Sequence, residues 1–196
     1  MNTFLTVKSS INGQNSVSNQ LIDWLATRLK HGEHTIIERD LGFLSLPHLS
    51  QEELTTWMTD ENNLNDDQLS LRALSDSIIA EVKEASAIVL GLPMYNFGVP
   101  SNFKAWIDRL ARAGVTFSYT ENGPIGLLEN KPIYVIATRG GIYQGTPKDS
   151  QTQYIKNVFS FLGLHDVHFV YVEGLAMGNA QQIVEQAKEQ LHSLVL

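Results

Sequence analysis

The sequence contains no cysteine, which removes disulfide staples, thiolate nucleophiles and cysteine-ligated zinc from consideration. Its six histidines are scattered. The pair His165 and His168 lies at the start of an apolar run where an extended chain turns the two rings to opposite faces, and no metal site is expected. Basic charge is scarce as well: 14 Lys+Arg stand against 21 Asp+Glu, a net charge of -7. No basic cluster is dense enough to replace phosphate counterions, and nucleic acid is not an expected partner. No apolar stretch approaches the ~18 residues of a membrane span, and Met1-Asn2-Thr3-Phe4 is not a charged segment leading into a long apolar one. A cytoplasmic protein without membrane insertion is the expectation. Two phosphate-binding patterns are also missing. No G-x-G-x-x-G follows the first apolar run, and Gly140 to Gly145 lacks the Lys-Ser/Thr of a P-loop, which disfavours dinucleotide-binding and triphosphatase folds.

What the chain does contain is alternation. Its 196 residues, 43% hydrophobic and 18% charged, suit one domain spanning 1–196. Five short apolar runs, Phe4–Val7, Thr35–Ile37, Ala87–Leu90, Ile133–Ala137 and Val167–Val172, are separated by longer segments of helical period. Examples are Val17, Leu21, Leu25 and Leu29, then Leu71, Leu74, Ile78 and Val82, then Ala180, Ile183, Val184, Ala187 and Leu191. This is the pattern of an α/β doubly wound parallel sheet. Two stretches interrupt it. Residues 47–67 are polar, with Leu54, Trp57, Met58 and Leu64 interspersed as anchors of an exposed excursion, and Thr116–Leu128 reads as a loop or short ribbon.

Three polar or glycine-bearing segments follow apolar runs, and in an open α/β sheet such loops converge on one edge, where ligands bind. The first, Ser9 to Ser18, leads into a helix whose free N–H groups, dipole and hydroxyls suit a phosphate. Plain N-capping by Ser16 or Ser18 is the competing explanation. The second, Pro93-Met94-Tyr95-Asn96-Phe97-Gly98, offers aromatic and thioether surface to a flat apolar ligand, unless the loop is simply buried under its own helix. The third, Thr138-Arg139-Gly140-Gly141, permits close backbone approach. A mononucleotide with a planar ring satisfies all three, flavin mononucleotide (FMN) best of all, and a flavodoxin-like sheet of order 2-1-3-4-5 with helices on both faces places it there. Another phosphate-bearing ligand remains the bland alternative.

At these residues the chain closely resembles the bacterial FMN-dependent NADH:quinone oxidoreductases, also called azoreductases. The resemblance rests on Lys8-Ser9-Ser10, Pro93 to Phe97, Ala111-Arg112-Ala113-Gly114-Val115-Thr116-Phe117, Tyr119 to Pro124 and Arg139-Gly140-Gly141. It implies that Ser10, Ser16, Val17 and Ser18 hold the FMN phosphate, that Met94, Tyr95, Asn96 and Phe97 line the isoalloxazine, and that Thr138, Arg139, Gly140 and Gly141 contact its polar edge. It also places Tyr119 and Phe161 near the open ring face, Phe161 reaching across a homodimer interface, and Tyr143 near the substrate. Val17 stands where relatives often carry Gln, and Tyr143-Gln144 where a relative can have His and Lys. The implied activity is two-electron transfer from NADH to quinones and azo compounds by a ping-pong mechanism. The chemistry is carried by the flavin, with no catalytic side chain and no metal. A flavodoxin-like FMN electron carrier, which does not itself oxidise NADH, is the alternative of a different class.

Overall fold

The computed structural model describes residues 2–44 and 46–195. The chain runs β1 (Thr3–Lys8), α1 (Val17–His31), β2 (Thr35–Asp40), α2 (Gln51–Met58), α3 (Asp66–Glu84), β3 (Ala87–Pro93), α4 (Ser101–Leu110), then a ribbon of β4 (Phe117–Thr120) and β5 (Gly123–Gly126). It continues through β6 (Ile133–Thr138), α5 (Ser150–Phe161), β7 (Val167–Val172) and α6 (Ala180–Val195). The five apolar runs are the five strands of one parallel sheet in the order β2-β1-β3-β6-β7. With the ribbon set aside this is the expected 2-1-3-4-5.

Strand alternation explains the two cores. Phe4, Ala87, Val89 and Ile136 face one side, where they meet Leu21, Ile22, Leu25 and Leu29 of α1 and Ala187 and Leu191 of α6. Leu5, Val7, Ile88, Leu90 and Val135 face the other, against Ile78 and Val82 of α3, Phe103, Trp106 and Leu110 of α4, and Ile155 and Phe159 of α5. Every residue of the central β3 is buried. β1, β3 and β6 therefore end side by side, and their following loops share one edge.

Of the four anchors expected in the excursion at 47–67, Trp57 and Leu64 are half-buried, with Arg112 over the Trp57 ring at 5.8 Å, whereas Met58 is 85% exposed and Leu54 is 45% exposed. A polar tie adds to these: Arg109 of α4 and Glu53 of α2, both fully buried, pair at 2.6 Å. Arg109 also donates to the carbonyls of Pro47 at 2.9 Å and Ala105 at 3.1 Å. The segment Thr116–Leu128 forms the antiparallel β4–β5 ribbon. A Cβ on Gly126 would come within 2.0 Å of the Gly163 nitrogen, so the ribbon lies backbone to backbone on the end of α5. No described helix is long and apolar enough to cross a membrane.

Candidate ligand site at the carboxyl edge of the sheet

The first loop is locked down before it reaches α1. Ser9 Oγ donates to the Gly91 carbonyl at 2.6 Å. Ser16 caps α1, its Oγ accepting from Asn19 N at 3.3 Å and pairing with Ser18 Oγ at 2.9 Å. Gln20 N already bonds to Ser16 O. Among the described residues the amides of Val17 and Ser18 therefore remain as the two free donors of the first helical turn. Ser18 itself is wholly buried, so its hydroxyl serves Ser16 rather than solvent. Ser10 Oγ lies 3.0 Å from Tyr95 Oη, and each oxygen also accepts a backbone amide, from Asn12 and Ile11 respectively. Two hydroxyls bring two protons and their mutual bond uses one, so one O–H stays free for an anion.

The second loop is a two-residue turn closed by reciprocal bonds, Tyr95 N to Gly98 O at 3.0 Å and Gly98 N to Tyr95 O at 2.9 Å. Its central residues, Asn96 (φ 50°) and Phe97 (φ 66°), both have left-handed backbone. Asn tolerates this conformation; a bulky residue such as Phe rarely adopts it. Neither amide finds an acceptor among the described residues. Met94 N donates to Thr138 O at 3.0 Å and so joins this loop to the third.

In the third loop the amides of Gly140 and Gly141 likewise find no acceptor among the described residues. A Cβ on Gly141 would sit 2.8 Å from the Tyr143 hydroxyl, so any side chain there would push the tyrosine ring aside. The Tyr143 ring meets Phe97 edge-on, centroids 5.7 Å apart. Arg139 turns inward. Its buried guanidinium pairs with Asp149 at 2.8 Å and Glu173 at 2.9 Å, leaving only its backbone at the edge. Burial alone would raise the Asp149 carboxyl, but hydrogen bonds from Arg139 and Thr152, with the Arg139 charge, outweigh it and hold the group below the ordinary 3.8. Lys8 is neutralised in the same manner, by Asp23 at 2.6 Å and Glu38 at 3.1 Å. Burial lowers the Lys8 pKa, yet these two carboxylates together raise it.

These loops enclose an open cavity of about 230 Å³. Ser10, Ser16, Val17, Met94, Tyr95, Thr138, Arg139 and Gly140 line it, together with Pro93 of the second loop and with Asn12, Asn15 and Leu175, which sequence reasoning did not single out. Leu175 was findable, since Glu173-Gly174-Leu175 follows the β7 run as the other loops follow theirs. Asn96 and Phe97 form the exposed tip beside the cavity, and Ser18 and Gly141 lie one residue beyond lining positions. Tyr119 and Phe161 are elsewhere. They flank Phe117, whose centroid is 4.3 Å from Phe161 and 5.6 Å from Tyr119, and neither lines the cavity of a single chain.

A parallel sheet of this order, with amide and hydroxyl donors gathered at its carboxyl edge, defines a flavodoxin-like α/β protein with a site for an electron-rich ligand. Residues 2–195 match the family model described as the flavodoxin-like fold. An FMN-dependent NADH:quinone oxidoreductase of Pseudoalteromonas atlantica is 48% identical over 198 residues, covering 100% of this chain and 98% of that protein. The chain belongs to this family. A relative of the same name from Alteromonas mediterranea is 49% identical and covers 92% of this chain and 91% of its own length. Among solved structures, an FMN-dependent NADH-azoreductase from Bacillus anthracis in complex with FMN superposes with a TM-score of 0.88 at 26% identity, covering 98% of this chain and 97% of that one.

Proposed function

We propose that this chain, acting as one domain over 1–196, is an FMN-dependent oxidoreductase that passes two electrons from NADH to quinones and azo compounds. The carrying observation is the donor set. Free amides at Val17, Ser18, Asn96, Phe97, Gly140 and Gly141 accompany spare hydroxyl protons on the Ser10–Tyr95 and Ser16–Ser18 pairs. Arg139, the cation among the lining residues, is already paired, so the site suits a ligand that brings its own negative charge and acceptor-rich ring edge. FMN has that chemistry: a phosphate, and a flat ring with carbonyl and ring-nitrogen acceptors.

In this reading Ser10, Ser16 and the amides of Val17 and Ser18 bind the phosphate through a helix N-terminus without fixed charge. Substituting Val17 for Gln is harmless where the amide is the contact. Met94, Tyr95, Asn96 and Phe97 hold the ring, and the backbone of Thr138, Arg139, Gly140 and Gly141 meets its polar edge. The amides of Asn96, Phe97 and Gly141 supply preorganised donors for negative charge developing there. FMN held by these residues would supply the redox chemistry, two-electron transfer between NADH and the acceptor. Tyr143, over Gly141 and against Phe97, borders the open side, so donor and acceptor occupy one place in turn. Tyr119 and Phe161 complete that place in a cytoplasmic homodimer, Phe161 reaching across from the second copy.

One shared place requires ping-pong kinetics. Initial rates with NADH and a simple benzoquinone should give parallel double-reciprocal lines; intersecting lines would require both substrates to be bound together and would rule the scheme out.

A further inference from the structure

Three consecutive residues at the start of α5 direct their side chains onto other loops. Asp149 caps the helix through Thr152 N at 3.1 Å and receives Arg139 at 2.8 Å. The Ser150 hydroxyl donates to the Phe97 carbonyl. Gln151, 1% exposed, donates from Nε2 to the Pro93 carbonyl at 3.1 Å. Behind them Arg139 also holds Glu173, whose Oε1 accepts the amides of Tyr143 at 2.8 Å and Gln144 at 3.0 Å. The second loop is thus gripped at its start and at its tip by neighbouring residues of one helix turn. That helix turn is in turn fixed by the third loop's arginine.

The grip falls where the backbone needs it. A phenylalanine at φ 66° next to an asparagine at φ 50° persists only where surrounding contacts over-determine it. The Tyr95–Gly98 bonds close the turn, but only Ser150 bonds the carbonyl of the strained Phe97 among the described residues. We infer that Ser150 and Gln151 are positioning residues. They hold the Tyr95–Gly98 turn in the left-handed form that keeps the Asn96 and Phe97 amides free to donate, although neither residue lines the ligand cavity. The inference rests on the proposed FMN reading for what those amides donate to.

Ser150 is exposed, so Ser150→Ala should fold, and Ser150→Thr keeps the hydroxyl. Two readouts separate positioning from general stability: amide hydrogen exchange of Gly98 in the apoprotein, and FMN affinity by fluorescence quenching. Losing one hydrogen bond should speed Gly98 exchange about five- to tenfold in Ser150→Ala while β3 amides and Tm stay as in the unmodified protein. FMN affinity should weaken by about the same factor, and Ser150→Thr should restore both. Gln151→Leu should show the same pattern with a lower Tm, because its polar partner is buried.

Unchanged Gly98 exchange overturns the inference. So does faster exchange at unchanged affinity, and so does a uniform acceleration across the sheet, which would make Ser150 merely structural. If the unmodified apoprotein takes up no FMN, the proposed function falls, while the exchange arm still decides whether Ser150 holds the turn.

Discussion

Asn96 and Phe97 concentrate the account in two backbone angles. Their amides are free because the turn is left-handed, and a proline can neither reach φ 50° nor donate a hydrogen bond. Asn96→Pro should therefore abolish FMN retention while the apoprotein still folds, whereas Asn96→Gly, which adopts the angle without strain, should bind FMN within about threefold of the unmodified protein. Normal FMN binding by the proline variant would show that the Asn96 amide makes no such contact. Arg139 makes a different prediction, because its partner Asp149 has a carboxyl pKa held below the ordinary 3.8. A depressed carboxylate contributes stability that is complete above the unfolded value and lost as pH falls through the folded one. Thermal melts should show that loss beginning below about pH 3.8 in the unmodified protein and blunted in Asp149→Asn, which carries no titrating group there. Identical acid limbs would show that the pair contributes nothing.

Among the elements, the buried Arg109–Glu53 pair ties α2 to α4. Removing one partner strands a buried charge, so Arg109→Met should cost about 3–5 kcal/mol in a urea melt, and adding Glu53→Leu should recover most of it. If the double variant is no better than the single one, burial of the lone carboxylate is not the cause. This anchor was not legible in the sequence. Leu54, Trp57 and Met58 looked like the apolar contacts, and nothing local reveals that Glu53 faces an arginine 56 residues away. The central strands β1, β3 and β6 were legible because parallel strands buried on both faces read as continuous apolar runs, as in Ile133–Ala137, and the half-buried edge strands β2 and β7 were legible from their shorter β-branched and aromatic runs. The loops were legible as loops, for their hydroxyls and glycines mark them. Their conformations were not: the sign of φ at Phe97 and the inward turn of Arg139 depend on partners at Ser150, Asp149 and Glu173, far along the chain. Tyr119, 73% exposed on the ribbon, is the case that one chain leaves open.

At the scale of the whole molecule that exposure fits a dimer. Sedimentation should give twice the chain mass. Tyr119→Ala should leave FMN affinity within about twofold while raising the KM for quinone about tenfold, the loss of one aromatic contact. A monomer with full activity would confine the substrate place to Tyr143 and Phe97. The distribution of charge bears on the ligand: a chain of net charge -7 pairs Lys8 and Arg139 internally and leaves backbone donors to bind an anion. The most direct test is to load the protein with FMN, exclude oxygen and titrate with NADH while following the visible spectrum. The account predicts bleaching complete at one equivalent and return of the flavin bands when a quinone is added. A flavin that binds yet ignores NADH would contradict it and make the protein an electron carrier, and failure to bind FMN would contradict the site itself.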